Sequence, residues 1–166
     1  MANSKHGFTI LRVLKENYHL FDDLVYYRMN GKERTTAEKE VSKDGDHSIA
    51  YRELDYENFY VYAACLDDKF VAWISIIYIP KIGKGIGGII YVDELYTRPD
   101  YRNRGIAYEL LQKVKEHYEQ RKAYLIRLYV GDDNRSAQHV YQKIGLQDKG
   151  VCRCMESNII TEHCSI

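Results

Sequence analysis

The chain has little that would mark it for nucleic acid or a membrane surface. Its 24 Lys and Arg residues balance 24 Asp and Glu residues, so the formal net charge is zero. Without a basic surplus there is no global field to hold nucleic acid or an anionic bilayer. Only two prolines occur in 166 residues, and no Pro- or Ser-rich linker divides the chain. We therefore expect one domain over residues 1–166 and no nucleic-acid partner.

Long apolar runs are also missing. The longest, residues 70–79, has about half of the roughly 20 residues that a membrane-spanning helix needs. The first residues, "MANSKHGFTI", lack the apolar core of a signal peptide. Four cysteines in a chain without an export signal suit reduced thiols. These absences predict a cytoplasmic protein with no membrane partner.

The cysteines do not form a metal-binding motif. One residue separates Cys152 from Cys154, where a zinc knuckle has two, and no His pair follows at ligand spacing. We therefore predict no metal site. Cys65 lies in a predicted strand, and we interpret it as a core thiol rather than a nucleophile.

The first two thirds of the chain predict strands around an antiparallel hairpin. The segments "FYVYAACL" (59–66) and "FVAWISIIYI" (70–79) flank the turn "DDK", which favours a hairpin. A third strand at 89–97 would pair antiparallel with this hairpin. The earlier predicted elements are a strand at 8–13, a helix at 17–29 capped by Asn17, and a short helix at 35–42.

The last third changes to helical periodicity. Apolar residues three or four positions apart predict a helix with one buried face; they are Ala107, Leu110, Leu111, Val114 and Tyr118. The segment "AYLIRLYV" (123–130) is apolar on both sides, as a buried strand is, and this order of elements implies a right-handed parallel crossover. The next predicted element is a helix at 134–144, with Gly145 as the left-handed residue that follows its end. A closing strand at 150–157 completes the prediction. The fold class is α/β (α+β), with a mixed, mostly antiparallel sheet flanked by helices and one parallel β-α-β join.

One glycine-rich stretch has the spacing of a dinucleotide-binding loop. "GKGIGG" (83–88) matches G-x-G-x-x-G, but that interpretation requires a helix after the glycines. A strand at 89–97 follows instead, so no helix N-terminus is available to receive a pyrophosphate. We interpret the stretch as a loop between strands.

The turn "RNRGIA" (102–107) does join a strand to a helix. The first N–H groups of such a helix have no intrahelical partner, and the helix dipole adds partial positive charge. Gly105 removes a Cβ from this concavity, and Ala107 keeps the next turn narrow. Residues 98–122 contain seven Lys or Arg against four Asp or Glu. The turn therefore suits a pyrophosphate, although a capped helix with a solvated basic face explains the same residues.

At this point the chain resembles the GNAT superfamily of N-acyltransferases. Arg102, Gly105 and Ala107 match the family's acyl-CoA turn, Arg/Gln-x-x-Gly-x-Gly/Ala. The preceding "YVDELYTRPDYR" resembles the family's acid-bearing fourth strand. "LYVGDDNRSAQHVYQKIGL" resembles a later segment and supplies Asn134, Ala137, Tyr141 and Gly145 at the family's spacings. The resemblance is best over residues 59–150 and vague over the first 55.

The resemblance implies acetyl-CoA as co-substrate. In the family, the backbone of the fourth strand pairs with the pantetheine arm, the turn holds the pyrophosphate, and the later segment lies near the thioester. The implied cofactor-binding residues are Leu95, Tyr96, Thr97, Arg102, Asn103, Arg104, Gly105, Ile106, Ala107, Tyr108, Asn134 and Ala137. Many members pair, which leaves a homodimer open.

Three residues are candidates for the chemistry. An alkylamine has a pKa near 10.4, so a base must remove its proton before it can attack a carbonyl. Asp93 and Glu94 are the candidate bases, on opposite faces of the strand because strand side chains alternate, so only one of them can face the acceptor pocket. Resemblance to polyamine-type acetyltransferases favours Asp93, Glu94 stays open, and both could be surface carboxylates. Tyr141 is the implied proton donor to the departing thiolate, with a core tyrosine as the alternative.

Charge is the main indication of the acceptor. Residues 38–57 contain seven acids against three bases, and tyrosines are dense there and just beyond. Such a surface suits a cationic amine, and a solvated acidic surface explains it equally well. We predict an N-acetyltransferase that acts directly on the primary amine of a small cationic metabolite. The alternatives are an acetyltransferase of protein lysines or N-termini, and a non-catalytic acyl-CoA-binding module.

Overall fold

A five-stranded mixed sheet forms the centre of the fold. The computed structural model describes residues 7–83, 87–153 and 155. The strands are β1 (Thr9–Arg12), β2 (Phe59–Leu66), β3 (Lys69–Ile79), β4 (Ile89–Thr97) and β5 (Leu125–Arg127), in spatial order β1-β2-β3-β4-β5. Neighbours from β1 to β4 are antiparallel, and β4 pairs with β5 in parallel. This confirms the predicted sheet, its central hairpin and its one parallel join.

In the part of the chain that the structure describes, five helices flank the sheet. They are α1 (Tyr18–Asn30), α2 (Thr36–Lys43), α3 (Ser48–Leu54), α4 (Ile106–Gln120) and α5 (Arg135–Lys143). The sequence predicted four of them and missed α3, because seven residues are too few for a clear apolar period. Asn17 precedes α1 but makes no side-chain cap to it; its oxygen accepts from the amide of Leu14 instead.

The helices cover the two faces of the sheet with separate cores. On one face α1 packs Phe21, Leu24 and Val25 against a cluster that contains Trp73. On the other face α4 buries Leu110, Leu111 and Val114, each contributing about 2 kcal/mol of apolar burial. α5 packs on the same side through Val140, Tyr141 and Ile144. The sheet is therefore the middle of three layers.

The predicted buried strand at 123–130 is wrong in length and burial. The observed β5 is three residues long, and Arg127 is exposed. Within the described residues, β5 is an edge strand with no neighbour on its far side. Apolar side chains that follow β5 in the sequence are therefore exposed to solvent, and Tyr129 is 62% exposed. The predicted closing strand at 150–157 is absent over 150–153 and at Met155, and its other residues lie outside the described ranges.

The glycines before β4 have a packing role, as the loop interpretation of "GKGIGG" allows. β4 begins directly after them, so no helix follows. A Cβ at Gly87 would overlap the carbonyl oxygen of Lys122, and one at Gly88 would overlap that of Ile79. The amide of Tyr124 donates to Gly88 O over 3.0 Å. The bare backbone of Gly87 and Gly88 lets this part of the chain lie directly against the α4–β5 turn.

Two expected absences concern membranes and metals. In residues 7–83 and 87–153, no helix combines the length and apolar content needed to cross a membrane. No group of three or more His, Cys, Asp or Glu side chains is placed to hold a metal ion within the same part of the chain.

The core beneath α4 contains a buried histidine, His117, which the apolar pattern of the sequence did not indicate. The innermost residues of α4 include Ile106 and His117, whereas Tyr118 is only half-buried. His117 Nδ1 lies 3.4 Å from the Tyr62 hydroxyl, and its Nε2 has no hydrogen-bond partner among the described residues. Burial lowers the pKa of His117, and the nearby charge of Arg121 lowers it further. The folded protein therefore holds this imidazole neutral.

We expect the free energy of unfolding to decrease as the pH falls below about 6.5, the ordinary histidine pKa. The unfolded chain binds a proton that folded His117 resists, so acid favours the unfolded state until the folded pKa is reached. His117→Phe should flatten this dependence, measured by urea denaturation between pH 5 and 8. His19→Gln is the control, since His19 is exposed and should leave the slope intact. A wild-type slope in His117→Phe contradicts the assignment.

Candidate functional site

The junction between β4 and α4 is shaped by two left-handed residues. A 3-10 turn over Pro99–Tyr101 follows β4, and Gly105 occupies the N-cap of α4 with a φ of 79°. Asn103 also has a positive φ, of 62°. Glycine adopts this conformation without strain, and asparagine tolerates it better than most residues. Such a backbone turns successive N–H groups towards one point, which is how anion-binding nests form.

The N–H groups at this junction are unsatisfied. Arg102 N donates to Pro99 O over 3.3 Å, and Glu109 N donates to Gly105 O over 3.1 Å. Between these two bonds, the amides of residues 103–108 donate to no acceptor in the described part of the chain. A Cβ placed on Gly105 would meet no atom within 4 Å, so the space above it is open. The junction therefore has the geometry of an anion site on a helix N-terminus.

Two of the three arginines around the junction brace its backbone. Arg102 Nε donates to Thr97 O over 3.2 Å, and Arg104 Nη2 donates to Asp100 O over 3.1 Å. Both bonds tie a side chain back to the segment that precedes it. The interpretation of these side chains as a solvated basic face is therefore incomplete.

The third arginine, Arg98, joins the junction to the loop after α1. Its side chain is 9% exposed and donates to Glu33 over 3.0 Å and to Asp100 over 2.9 Å. These hydrogen bonds hold the pKa values of Glu33 and Asp100 below their ordinary range. The guanidinium also lies 3.8 Å from the centroid of the Tyr27 ring. Arg98 thus fixes the end of β4 against two elements of the α1 side.

Within the described residues, β4 has an open edge beyond its short pairing with β5. The parallel pairing covers only Ile89–Tyr91 of β4. Arg98 N donates to Val71 O of β3, and backbone groups alternate sides along a strand. Leu95 and Thr97 therefore direct their N–H groups to the open edge, whereas Tyr96 directs its own to β3. Of the three predicted backbone partners of a ligand, Tyr96 does not face this edge.

A β-bulge in β4 carries the two candidate carboxylates. Glu94 pairs with Ser75 and Val92 pairs with Ile76, so Asp93 and Glu94 together oppose the single residue Ser75. Plain alternation stops at such a point. The expectation that the two carboxylates lie on opposite faces is therefore wrong, because the sequence carries no sign of the bulge.

The two carboxylates have different environments. Glu94 Oε1 accepts a hydrogen bond from Arg28 Nη1 over 2.9 Å, and Arg28 belongs to the last turn of α1. Asp93 is exposed and has no hydrogen bond or ion pair within residues 7–83 and 87–153. Sequence reasoning missed Arg28, since 66 residues separate it from Glu94. Asp93 is therefore the carboxylate without a partner among the described residues.

Tyr141 is half-buried in α5 beside the start of α4. It packs against the α4 core, and its hydroxyl has no hydrogen-bond partner among the residues described. Burial raises the pKa of Tyr141, so the phenol stays protonated at neutral pH. Lys143, on the same helix, places its amine 5.2 Å from the ring centroid of Tyr108 in α4. The contact between Lys143 and Tyr108 thus places the end of α5 near the first turn of α4.

Asn134 and Ala137 have a structural role at the start of α5. Asn134 Oδ1 accepts from Ala137 N over 3.1 Å, which is an N-cap. At the other end, Gly145 N donates to Gln142 O and Leu146 N to Tyr141 O, which closes the helix as a Schellman motif. The predicted end of the helix at Gly145 is confirmed. The N-cap gives both Asn134 and Ala137 a function that needs no ligand.

Comparison with known proteins identifies the family. The sequence profile described as "Acetyltransferase (GNAT) family" matches residues 26–146, most of the chain. The chain belongs to the GNAT acetyltransferase family. The fold agrees, since an aminoglycoside acetyltransferase from an uncultured soil sample superposes with a TM-score of 0.73 at 14% identity, over 91% of this chain and 96% of that one. Members of this family use acetyl-CoA.

Individual relatives are more distant. The thialysine N-epsilon-acetyltransferase of Bos taurus is 36% identical over 62 residues, which are 37% of this chain and 36% of the bovine protein. The match thus spans about a third of that relative's length. An uncharacterized N-acetyltransferase of Archaeoglobus fulgidus is 28% identical over 131 residues, 79% of this chain and 80% of the archaeal one.

The acidic segment at 38–57 uses much of its charge in local structure. Glu38 completes a capping box with Thr35 at the start of α2, and Asp46 accepts from the amide of Ser48 at the start of α3. Asp55 pairs with Lys15 over 2.6 Å. A cleft of about 570 Å³ between α1 and α2 retains Glu38 and Asp46 in its lining. A role in binding the acceptor stays a prediction for this segment.

We expect Gly105→Asp to abolish the thermal stabilisation of the protein by acetyl-CoA. A carboxylate beside the amides of residues 103–108 would repel a pyrophosphate. Gly105→Asn is the matched control: both side chains have nearly the same shape and tolerate a positive φ, and only the charge differs. Differential scanning fluorimetry with and without acetyl-CoA is the measurement. An equal ligand-induced shift in both variants would place the ligand elsewhere.

Proposed function

We propose that the chain transfers the acetyl group of acetyl-CoA directly to the primary amine of a small cationic metabolite. The observation that carries the proposal is the row of unpartnered amides at 103–108, at the N-terminus of α4. Membership of the GNAT family supports acetyl-CoA as the ligand of these amides. The bovine relative is named for an amine acceptor, thialysine, and the superposed structure for aminoglycosides.

The open edge of β4 gives the bound ligand a direction. With its pyrophosphate at residues 103–108, acetyl-CoA would extend its pantetheine arm along the free N–H groups of Thr97 and Leu95. A ligand that follows β4 in this direction next meets the bulge at Asp93 and Glu94. The thioester would therefore lie close to the two carboxylates, where an amine can reach it.

The transfer needs no covalent enzyme intermediate. The amine gives one proton to a carboxylate, and its nitrogen then attacks the thioester carbonyl carbon. An N–H group on the open edge of β4 would stabilise the negative charge that develops on the carbonyl oxygen. The C–N bond forms, the C–S bond breaks, and the departing thiolate takes the phenolic proton of Tyr141. The nitrogen of the new amide gives up its second proton, which restores the phenol of Tyr141. The products are the acetylated amine and CoA.

Asp93 is the better candidate for the base. Glu94 accepts a hydrogen bond from Arg28 over 2.9 Å, so a proton on this carboxylate would weaken an existing ion pair. Asp93 has no such partner in the described residues and can accept a proton without that loss. The bulge exposes both carboxylates, and only their partners separate them.

The test of the function is release of CoA thiol on mixing the protein, acetyl-CoA and a panel of primary amines. Small diamines and amino acids test the proposed acceptor class, and lysine-containing peptides test the alternative of a protein substrate. Thiol release that depends on a small amine supports the proposal. Binding of acetyl-CoA without release for any amine would instead support a non-catalytic binding module.

We expect Tyr141→Phe to lower kcat about 100-fold, within the range that one general acid supplies. The raised pKa keeps the phenol protonated, so the variant loses a proton donor but little packing. Affinity for acetyl-CoA should survive. Tyr118→Phe is the control, because Tyr118 also packs partly buried against the same core, on α4. Comparable turnover in the two variants would remove Tyr141 from the mechanism.

Asp93→Asn should lower kcat/KM at pH 7 by about 100-fold, and Glu94→Gln should lower it less. The deficit of Asp93→Asn should shrink as the pH rises towards the amine pKa near 10.4, because more acceptor then arrives without its proton. Steady-state rates between pH 7 and 9.5 measure this dependence. A larger and pH-sensitive loss in Glu94→Gln would transfer the role of base to Glu94.

A further inference from the structure

A fixed positive charge lies beside the proposed acceptor site. The guanidinium of Arg28 is 5.0 Å from the centroid of a ring of Trp73 and 5.3 Å from the Tyr96 ring. Trp73 is only 2% exposed, so the platform beneath the guanidinium is rigid. Together with the bond to Glu94, these contacts hold Arg28 in place at the bulge.

Arg28 also retains capacity for a ligand. A guanidinium carries five N–H donors, and the bond to Glu94 uses one donor nitrogen, Nη1. The other nitrogens have no hydrogen-bond partner in the described ranges, and the side chain is 39% exposed. An arginine fork binds carboxylates in a two-bond geometry and is repelled by other cations. The unused N–H donors at this position therefore suit an acceptor that brings an anionic group.

The ion pair between Arg28 and Glu94 also makes this position less attractive to an acceptor that carries a second cationic group. Carboxylates that remain free could each bind an ammonium of a polyamine, but Glu94 is already neutralised by Arg28. The aromatic faces of Trp73 and Tyr96 are likewise occupied by a cation from the protein itself. Arg28 therefore offers N–H donors, rather than a cation-binding surface, to a small molecule at this position.

We propose that the acceptor is an amine that also carries a carboxylate, and that Arg28 binds this carboxylate and sets the specificity. The proposal rests on the proposed function and narrows its acceptor to amino-acid-like amines. One end of the acceptor would lie at the bulge, where Asp93 accepts the proton, and the carboxylate would lie against the end of α1.

Three acceptors that share one pentane-1,5-diamine chain test the idea. L-lysine, L-lysinamide and cadaverine carry the same two amines and differ in whether a carboxylate is present. We expect kcat/KM for L-lysine to exceed that for cadaverine at least tenfold, with L-lysinamide close to cadaverine. In Arg28→Gln the lysine-to-cadaverine ratio should fall to about one, mainly through a higher KM for L-lysine. Arg28→Lys should keep part of the ratio, because an ammonium retains the charge and loses the fork.

Arg12→Gln is the control variant. Arg12 also lies over a tyrosine, 4.6 Å from the centroid of Tyr60, but that ring belongs to the α4 side of the sheet. Its substitution should leave the ratio unchanged. Retained stabilisation by acetyl-CoA in each variant shows that the protein is folded and the cofactor site intact.

The outcomes separate the inference from the function on which it rests. Equal use of L-lysine and cadaverine by the wild type overturns the inference alone. So does a ratio that survives in Arg28→Gln, since a purely structural role of Arg28 would lower both rates together. No CoA release with any of the three amines, or with the wider panel, overturns the proposed function and the inference with it.

Discussion

The main constraint on this structure is that the first N–H groups of a helix have no acceptor within that helix. At α4 these groups are not hidden by the fold. Two left-handed residues, Asn103 and Gly105, turn the backbone, and the amides of 103–108 are left without acceptors in the described chain. Arg102 and Arg104 hold the turn by binding backbone oxygens behind it. Side chains thus fix the shape, and main-chain donors are left for a ligand.

The second element of the site is a strand with two irregularities. β4 pairs with β5 over three residues only, which leaves the N–H groups of Leu95 and Thr97 on an open edge. The bulge at Asp93 then interrupts the pairing with β3. The open edge offers backbone donors next to the anion site, and the bulge exposes two carboxylates a few residues away. The open backbone donors and the two carboxylates therefore lie on adjoining parts of one strand.

The two faces of the sheet carry different parts of the candidate site. The α4 side holds the turn at 102–107 and Tyr141, and its core is apolar except for neutral His117 and its neighbours. The α1 side brings Arg28 to Glu94, and Arg98 links the end of β4 to the loop after α1 through Glu33. β4 contacts both sides, so the candidate site combines residues from both faces of the sheet.

The sequence alone determined those parts of the protein that depend on local pattern. The hairpin of β2 and β3, the start of α4 at Gly105, and the end of α5 at Gly145 follow from residues close together in the chain. Their backbone geometry is set by short-range sterics and hydrogen bonds, and glycine or a two-residue turn signals it directly. The prediction of an anion site at 102–107 rests on the same short-range backbone geometry.

Tertiary structure decided what depends on distant partners. The bulge at Asp93 exists only relative to the register of β3, and the short β5 reflects the lack of a described strand beyond it. The pairing of Arg28 with Glu94 joins residues 66 positions apart. The sequence pattern of β4 is consistent with plain alternation, because a strand does not encode the register of its neighbour. The packing of α1 against the sheet decides which of the two carboxylates has a partner. It also decides which charge lies beside them.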